Sequence, residues 1–145
     1  ISISAVLAGI GGYSYLSGLP ERKTAAACRD LYAQIHAARS AAVKGCADVS
    51  IVFDAGAKQC TIQDADGNVL DAPLVLPDAI EIRELTGDDR GGDATVAYTF
   101  NSRGMKYPPS GKVKIQYHRS GYRKMGVRVT SAGSISVIDE TDSNW

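Results

Sequence analysis

An α+β fold is predicted, with one long N-terminal helix packed on antiparallel β-sheets of about seven short strands. Three observations predict it. The first 45 residues read as helix, apolar residues then recur at every second position in short runs, and no second helical pattern interrupts those runs. Without a second helix a parallel βαβ unit is excluded, which leaves hairpin-linked antiparallel strands. At 145 residues the chain is one domain with room for a core, and its 44% hydrophobic and 22% charged residues are ordinary for a folded protein. We expect a processed or truncated product, because the chain opens on Ile1.

The helix has two halves. Residues 1–20 form its apolar half, with no charge from Ile1 to Leu19. That run lies at the low end of the roughly 20 residues a bilayer span needs. Gly9, Gly11, Gly12 and Gly18 weaken it as a plain membrane anchor, while small residues favour close packing between helices. Ile3, Leu7, Ile10 and Leu16 are the candidates for stem packing. A secretory signal peptide is the rival reading, and it fails because no base precedes the run and the helix continues past it. Pro20 permits a kink. Residues 21–145 form the head, which includes the amphipathic half of the helix. There Thr24, Cys28, Leu31, Ile35, Ala38 and Ala42 share one face at three- and four-residue steps, and Cys28, Leu31, Ile35, Ala38 and Ala42 are the expected helix–head core. Arg22, Arg29, His36, Ser40 and Lys44 fall opposite. Gly45 is the expected left-handed cap.

After Gly45 the period becomes two. Val49–Phe53 and Gln59–Gln63 flank a turn and read as a hairpin, with Cys60 expected opposite Ile51 or Val52. Residues 71–79, with Pro73 and Pro77, read as a loop. Strands follow at Ile80–Leu85, Val96–Phe100, Val113–Tyr117, Met125–Val129 and Ile135–Val137, separated by turns rich in Gly, Asn and Asp. Three cysteines fit no zinc spacing and allow one disulfide. Cys46–Cys60 is the preferred pair, and Cys28–Cys60 stays open.

The zero net charge is a cancellation between segments. Residues 48–93 hold eleven acids and three bases, whereas residues 94–138 hold eight bases and no acid. Such asymmetry points either to acidic and basic strands paired in one sheet or to a polyanionic partner. The bases Arg103 to Arg128 interleave with Tyr107, Tyr117 and Tyr122, a pattern suited to a nucleic-acid backbone and its bases. Arg119, Arg123, Lys124 and Arg128 are the candidate contacts. Lys112, Lys114 and Gln116 are expected on an outer strand face, solvated or facing that partner. Asp64, Asp66 and Asn68, and separately Asp88, Asp89 and Asp93, offer oxygens for calcium, but neither set has the EF-hand order and both sit where turns are expected. No nucleophile elbow or phosphate loop occurs, so no catalytic residue, metal ligand or cofactor is assigned.

The run Ile1 to Leu16 resembles the later part of a type IV pilin N-terminal helix, with Ser14-Tyr15-Leu16 matching its usual end. Ala37-Ala38-Arg39-Ser40-Ala41-Ala42-Val43-Lys44 resembles the A-R-S-x-A-I/V-K helix end of minor pilins and pseudopilins of the GspH/FimT type. Phe100-Asn101-Ser102-Arg103-Gly104 resembles their F-N-x-R-G segment, and Val127 to Ile135 resembles their V-x-V-S-x-x-G-x-I end. The resemblance implies a pilin-like fold and a non-enzymatic assembly subunit of a type II secretion pseudopilus or type IV pilus. It implies pilin or pseudopilin subunits as partners and no small-molecule substrate. It also implies a single-pass place in the bacterial inner membrane with a periplasmic head, then a place in the filament. Some FimT-type proteins bind DNA through Gly-Arg-x-Arg; here the nearest stretch is Gly121-Tyr122-Arg123-Lys124. The alternative function is thus a DNA-binding minor pilin of natural transformation.

Overall fold

A computed structural model describes residues 2–86, 95–107, 111–119 and 121–142, with side chains from Gly18 onward. Among the described residues one helix, α1 (Ser2–Gly45), is followed by nine strands: β1 (Val49–Asp54), β2 (Gln59–Asp64), β3 (Leu74–Val75), β4 (Ile80–Thr86), β5 (Thr95–Phe100), β6 (Lys106–Tyr107), β7 (Gly111–Tyr117), β8 (Met125–Val129) and β9 (Ile135–Asp139). They form two sheets, a five-stranded sheet A in the order β3-β2-β1-β5-β6 and a four-stranded sheet B in the order β4-β7-β8-β9. Every pairing between strands is antiparallel. The two strands beyond the expected seven, β3 and β6, are two residues long and lie at the edges of sheet A. So short a run carries no alternation that periodicity can detect.

α1 continues through Pro20, whose carbonyl accepts a hydrogen bond from the Thr24 hydroxyl at 3.0 Å. The helix ends with Cys46, not Gly45, in the left-handed conformation (φ 49°). The Ala47 amide donates to the Ala42 carbonyl at 3.3 Å across that turn, the longer bond of a Schellman cap. Thr24, Cys28, Leu31, Ile35, Ala38 and Ala42 are each at most 1% exposed and form the helix side of the core. The sheets contribute Ile51, Phe53, Tyr98 and Phe100 from A, and Val113, Ile115, Val127 and Val129 from B. Small helix residues allow close approach: the Cys28 thiol meets the Gly126 carbonyl of β8 at 3.4 Å.

Two registers explain irregular spacings in the sequence. Ile80, Ile82 and Leu85 do not alternate strictly, and the ladder shifts between Ile82 and Glu84, so that Ile82 still faces Ile115 and Leu85 faces Val113. In the β1–β2 hairpin Cys60 pairs with Phe53, further along than expected. Cys46 and Cys60 are therefore not bridged. The strand carries Cys60 about 13 Å beyond the level of Val49, past the ~7 Å limit for a disulfide. All three cysteines are free, with Cys28 and Cys60 buried and Cys46 exposed. Burial pushes the thiols of Cys28 and Cys60 up to about 11 and about 12.

Candidate functional site

The three head segments that resembled one family come together at the C-terminal end of α1. Arg39, one helical turn before Val43, donates from Nε to the Gly104 carbonyl at 3.2 Å. Gly104 lies in the loop between β5 and β6, and Asn101 builds that loop. Its Oδ1 accepts from the amides of Arg103 and Met105, both at 3.0 Å, and its carbonyl accepts from the Gly104 amide at 2.8 Å. The third segment supplies the turn between β8 and β9. There the Gly133 amide donates to the Thr130 carbonyl at 2.9 Å, and the Ser131 carbonyl accepts from the Lys106 amide at 3.0 Å.

Both glycines are required. Gly104 (φ +73°) and Gly133 (φ +79°) occupy the left-handed region. A Cβ on Gly133 would run into the Gly104 carbonyl, and one on Gly104 would stand 3.0 Å from Arg39 Nε and 3.2 Å from the Val43 side chain. The junction thus ties the helix end, the β5–β6 loop of sheet A and the β8–β9 turn of sheet B into one contact.

Lys106 leaves this junction for the interior. It is 4% exposed, and its ammonium stands 4.2 Å from the centroid of the Tyr98 ring. Burial pulls its pKa down to about 8, while the electron-rich ring beneath it works the other way. Burial also raises the Tyr98 hydroxyl, which donates to the Thr86 carbonyl at 2.6 Å.

The bases of this segment take unlike surroundings. Lys114 and Gln116 are 9% and 7% exposed, which corrects the expected open outer face on β7. Lys114 lies opposite Glu84 in the β4–β7 ladder and forms an ion pair with it at 2.6 Å, so here acidic and basic strands do pair in one sheet. Gln116 donates to the Tyr122 carbonyl at 2.8 Å, because the β7–β8 link folds back over it. Of the four candidate nucleic-acid contacts, Arg119 is exposed in that link, and Arg123 and Lys124 precede β8. Arg128 stands in mid-strand between Ser136 of β9 and Lys112 of β7, so these two bases of the segment do lie side by side. Arg123 pairs with Asp139 at 2.8 Å and reaches Thr141 at 3.3 Å. The Asp139 carboxyl is held below its usual range, chiefly by Thr141 and then by Arg123.

The acidic turn at Asp64 is also accounted for by its own backbone. Asp64 accepts from the amides of Asp66 and Asn68 and from the Asn68 side chain, at 2.8–2.9 Å, which lowers its pKa. Among the described residues no group of His, Cys, Asp and Glu is arranged to hold a metal ion. Asp88, Asp89 and Asp93 lie outside the described residues, as do the side chains of Ile3, Leu7, Ile10 and Leu16. His36 lies against Tyr32, and His118 against Tyr117 and the Ala79 carbonyl, so neither stands beside a nucleophile. A shallow cleft of about 270 Å³ between Glu21, Arg22, Ala25, Arg123 and Met125 is below the usual size of a small-molecule site. Among the described residues no helix is long and apolar enough to cross a membrane.

Sequence reasoning named the junction's segments as separate family-like motifs but missed that Arg39, Gly104 and Gly133 meet. The available signal was a pair of glycines in turn positions that no strand pattern explained.

Comparison with known proteins agrees with the fold. The type IV minor pilin FimU of Pseudomonas aeruginosa superposes with a TM-score of 0.64 at 17% identity, over 84% of this chain and 92% of FimU. The minor pseudopilin EpsH of the Vibrio cholerae type 2 secretion system superposes with a TM-score of 0.66 at 10% identity, over 83% of this chain and 99% of EpsH. A search of curated proteins by sequence finds no match. The family described as type II transport protein GspH matches residues 27–133, a span that begins on the buried helix face and ends on Gly133 of the junction, and the chain belongs to that family.

Proposed function

We propose that this chain is a non-enzymatic assembly subunit, a minor pseudopilin or minor pilin, of a bacterial type II secretion pseudopilus or type IV pilus. The observation that carries the reading is the junction. The family-like segments of the head meet in a contact that fixes a long helix rigidly to two sheets and offers no chemistry. A subunit that works by being moved and stacked needs such a joint between stem and head.

The uncharged run ahead of Pro20 supports the rest. In this reading the stem holds the subunit in the inner membrane with the head in the periplasm. It then leaves lipid and packs among other stems in a filament, where apolar burial contributes about 25 cal/mol per Å². Ile3, Leu7, Ile10 and Leu16 are the proposed stem contacts. Leu7→Asp is expected to abolish incorporation into the filament while the full-length protein accumulates normally, measured by shearing and immunoblotting. Incorporation at the wild-type level would overturn the reading.

A further inference from the structure

The end of the head nearest the stem carries groups that the junction does not use. β8 runs alongside α1 and away from the stem: the Cys28 thiol meets the Gly126 carbonyl, and Arg39, about three turns further along the helix, meets the turn after β8 at Gly133. The β7–β8 link therefore lies beside the first turns of α1 that belong to the head. There Glu21, Arg22 and Ala25 of the helix line one cleft with Arg123 and Met125. Ala25 and Met125 supply apolar surface, and the two arginines and Glu21 stand around it. Arg22 and Arg123 are exposed. Arg123 uses one nitrogen, Nη2, for both Asp139 and Thr141. A guanidinium carries five donors in a planar fork, so Arg123 can take a further acceptor.

The stem sets the level of this cleft. The uncharged run ends at Pro20, and Glu21, Arg22 and Lys23 are the first charges beyond it. In a subunit held in a bilayer by that run, charges at its end lie among the lipid headgroups. Tyr117 and Tyr122, at the two ends of the same link, pack edge to face at 5.3 Å. Both are half-buried, and tyrosine is a residue type that favours the headgroup layer.

We propose that the cleft between α1 and β8 binds the headgroup of an anionic glycerophospholipid. Arg22 and Arg123 take the phosphodiester, and Ala25 and Met125 lie against the glycerol and the first methylenes. Two bases and one acid leave the cleft at a formal charge of +1, the complement of a headgroup with a single negative charge. The apolar floor favours a lipid over a free anion, because inorganic phosphate has no methylene surface to bury. The small volume is enough, since the lipid brings only its headgroup and its chains stay in the bilayer. The neighbouring acids of the β9 end are already engaged: Asp139 accepts from Arg123 and Thr141, and Asp142 accepts from the Asp139 amide. The inference rests on the membrane-held stage of the assembly reading and adds to it a lipid contact made by the head.

The test uses the full chain in phosphatidylcholine vesicles, in a Cys46→Ser background. Cys28 and Cys60 are buried, so Ala26→Cys supplies the thiol for a fluorescent label on the exposed helix face one turn past Arg22. Nitroxide-bearing phosphatidylglycerol or nitroxide-bearing phosphatidylcholine then replaces a tenth of the lipid. Phosphatidylglycerol should quench the label at least threefold more strongly. Arg22→Gln with Arg123→Gln should bring the ratio to about one, whereas Arg119→Gln with Lys124→Gln, which removes the same charge outside the cleft, should leave most of it. Inorganic phosphate at about 10 mM should leave the ratio unchanged. Thermal unfolding checks that each variant folds; if the first pair unfolds, Arg22→Gln alone should still halve the ratio. A parent ratio near one, a ratio indifferent to the cleft arginines, equal loss from both pairs, or loss to inorganic phosphate would each overturn the proposal. If the ratio is one while Leu7→Asp still blocks incorporation, only the headgroup contact falls. If Leu7→Asp incorporates normally, the assembly reading falls whatever the quenching shows.

Discussion

Arg39, Gly104 and Gly133 are far apart in the chain yet meet at one point, whereas the eight bases from Arg103 to Arg128 are close in the chain and take unlike surroundings. Lys106 is buried over Tyr98, Lys114 is paired with Glu84, Arg123 is paired with Asp139, Arg119 is exposed in a link, and Lys112 and Arg128 lie side by side across β7 and β8. The difference follows from what each pattern encodes. A run of like charges in sequence crosses strands and turns, and each residue then answers to its own cross-strand neighbour. A glycine in a left-handed turn instead reports a place where backbone must come close to something else.

The contrast can be broken most directly at Gly133. Gly133→Ala places a Cβ against the Gly104 carbonyl and a side chain on a left-handed residue. We expect a loss of about 3 kcal/mol, lowering the melting temperature by roughly 6–12 °C. A variant as stable as the parent in thermal unfolding would mean that the junction is not a tight joint.

A middle-sized effect is expected at Lys106, where the two regions touch. Its folded pKa of about 8 lies below the unfolded value near 10.5, so the unfolded state binds more protons between them. Its contribution to stability is therefore least below pH 8 and rises as pH climbs through 8 toward 10. Cys28 and Cys60 act in the opposite sense. Their folded values of about 11 and about 12 lie above the ordinary thiol value of 9.0, so their contribution is full below pH 9 and is lost above it. Stability should thus rise modestly from pH 7 to 9 and fall beyond. Lys106→Met should raise the melting temperature at pH 7 by roughly 2–5 °C and remove the rise. A parent curve flat from pH 7 to 9 would contradict this account.

The smallest effect belongs to the basic segment. Arg123→Ala removes an exposed ion pair and should shift the melting temperature by less than about 2 °C. The same variant, combined with Lys124→Ala, tests the nucleic-acid alternative by gel shift of the full chain on duplex DNA at two salt concentrations. Under the assembly reading neither protein shifts the DNA. Salt-sensitive binding that the double substitution abolishes would transfer the function to this segment.

Much of the fold was legible from periodicity. The face Thr24 to Ala42 and the strands β1 and β2 each bury a regular stripe, and burial is what period encodes. The edges were not legible, because β3 and β6 owe their strand geometry to a neighbour and not to their own residues. The helix cap moved by one residue, since Cys46 tolerates a left-handed conformation where Gly45 had been expected to supply it. The outer face of β7 looked open because its polar residues alternate correctly, but Glu84 and the Tyr122 carbonyl close over Lys114 and Gln116.

By itself the sequence determined the class of object: one helix with an uncharged half and an amphipathic half, then antiparallel strands, with segments typical of one family. Those properties are local, written in the order of residues along single elements. Only the tertiary structure decided which bases are buried or paired, that the cysteines stay apart, and that three distant segments form one joint. Each of these depends on which elements become neighbours, and pairing between distant strands is set by the whole core at once.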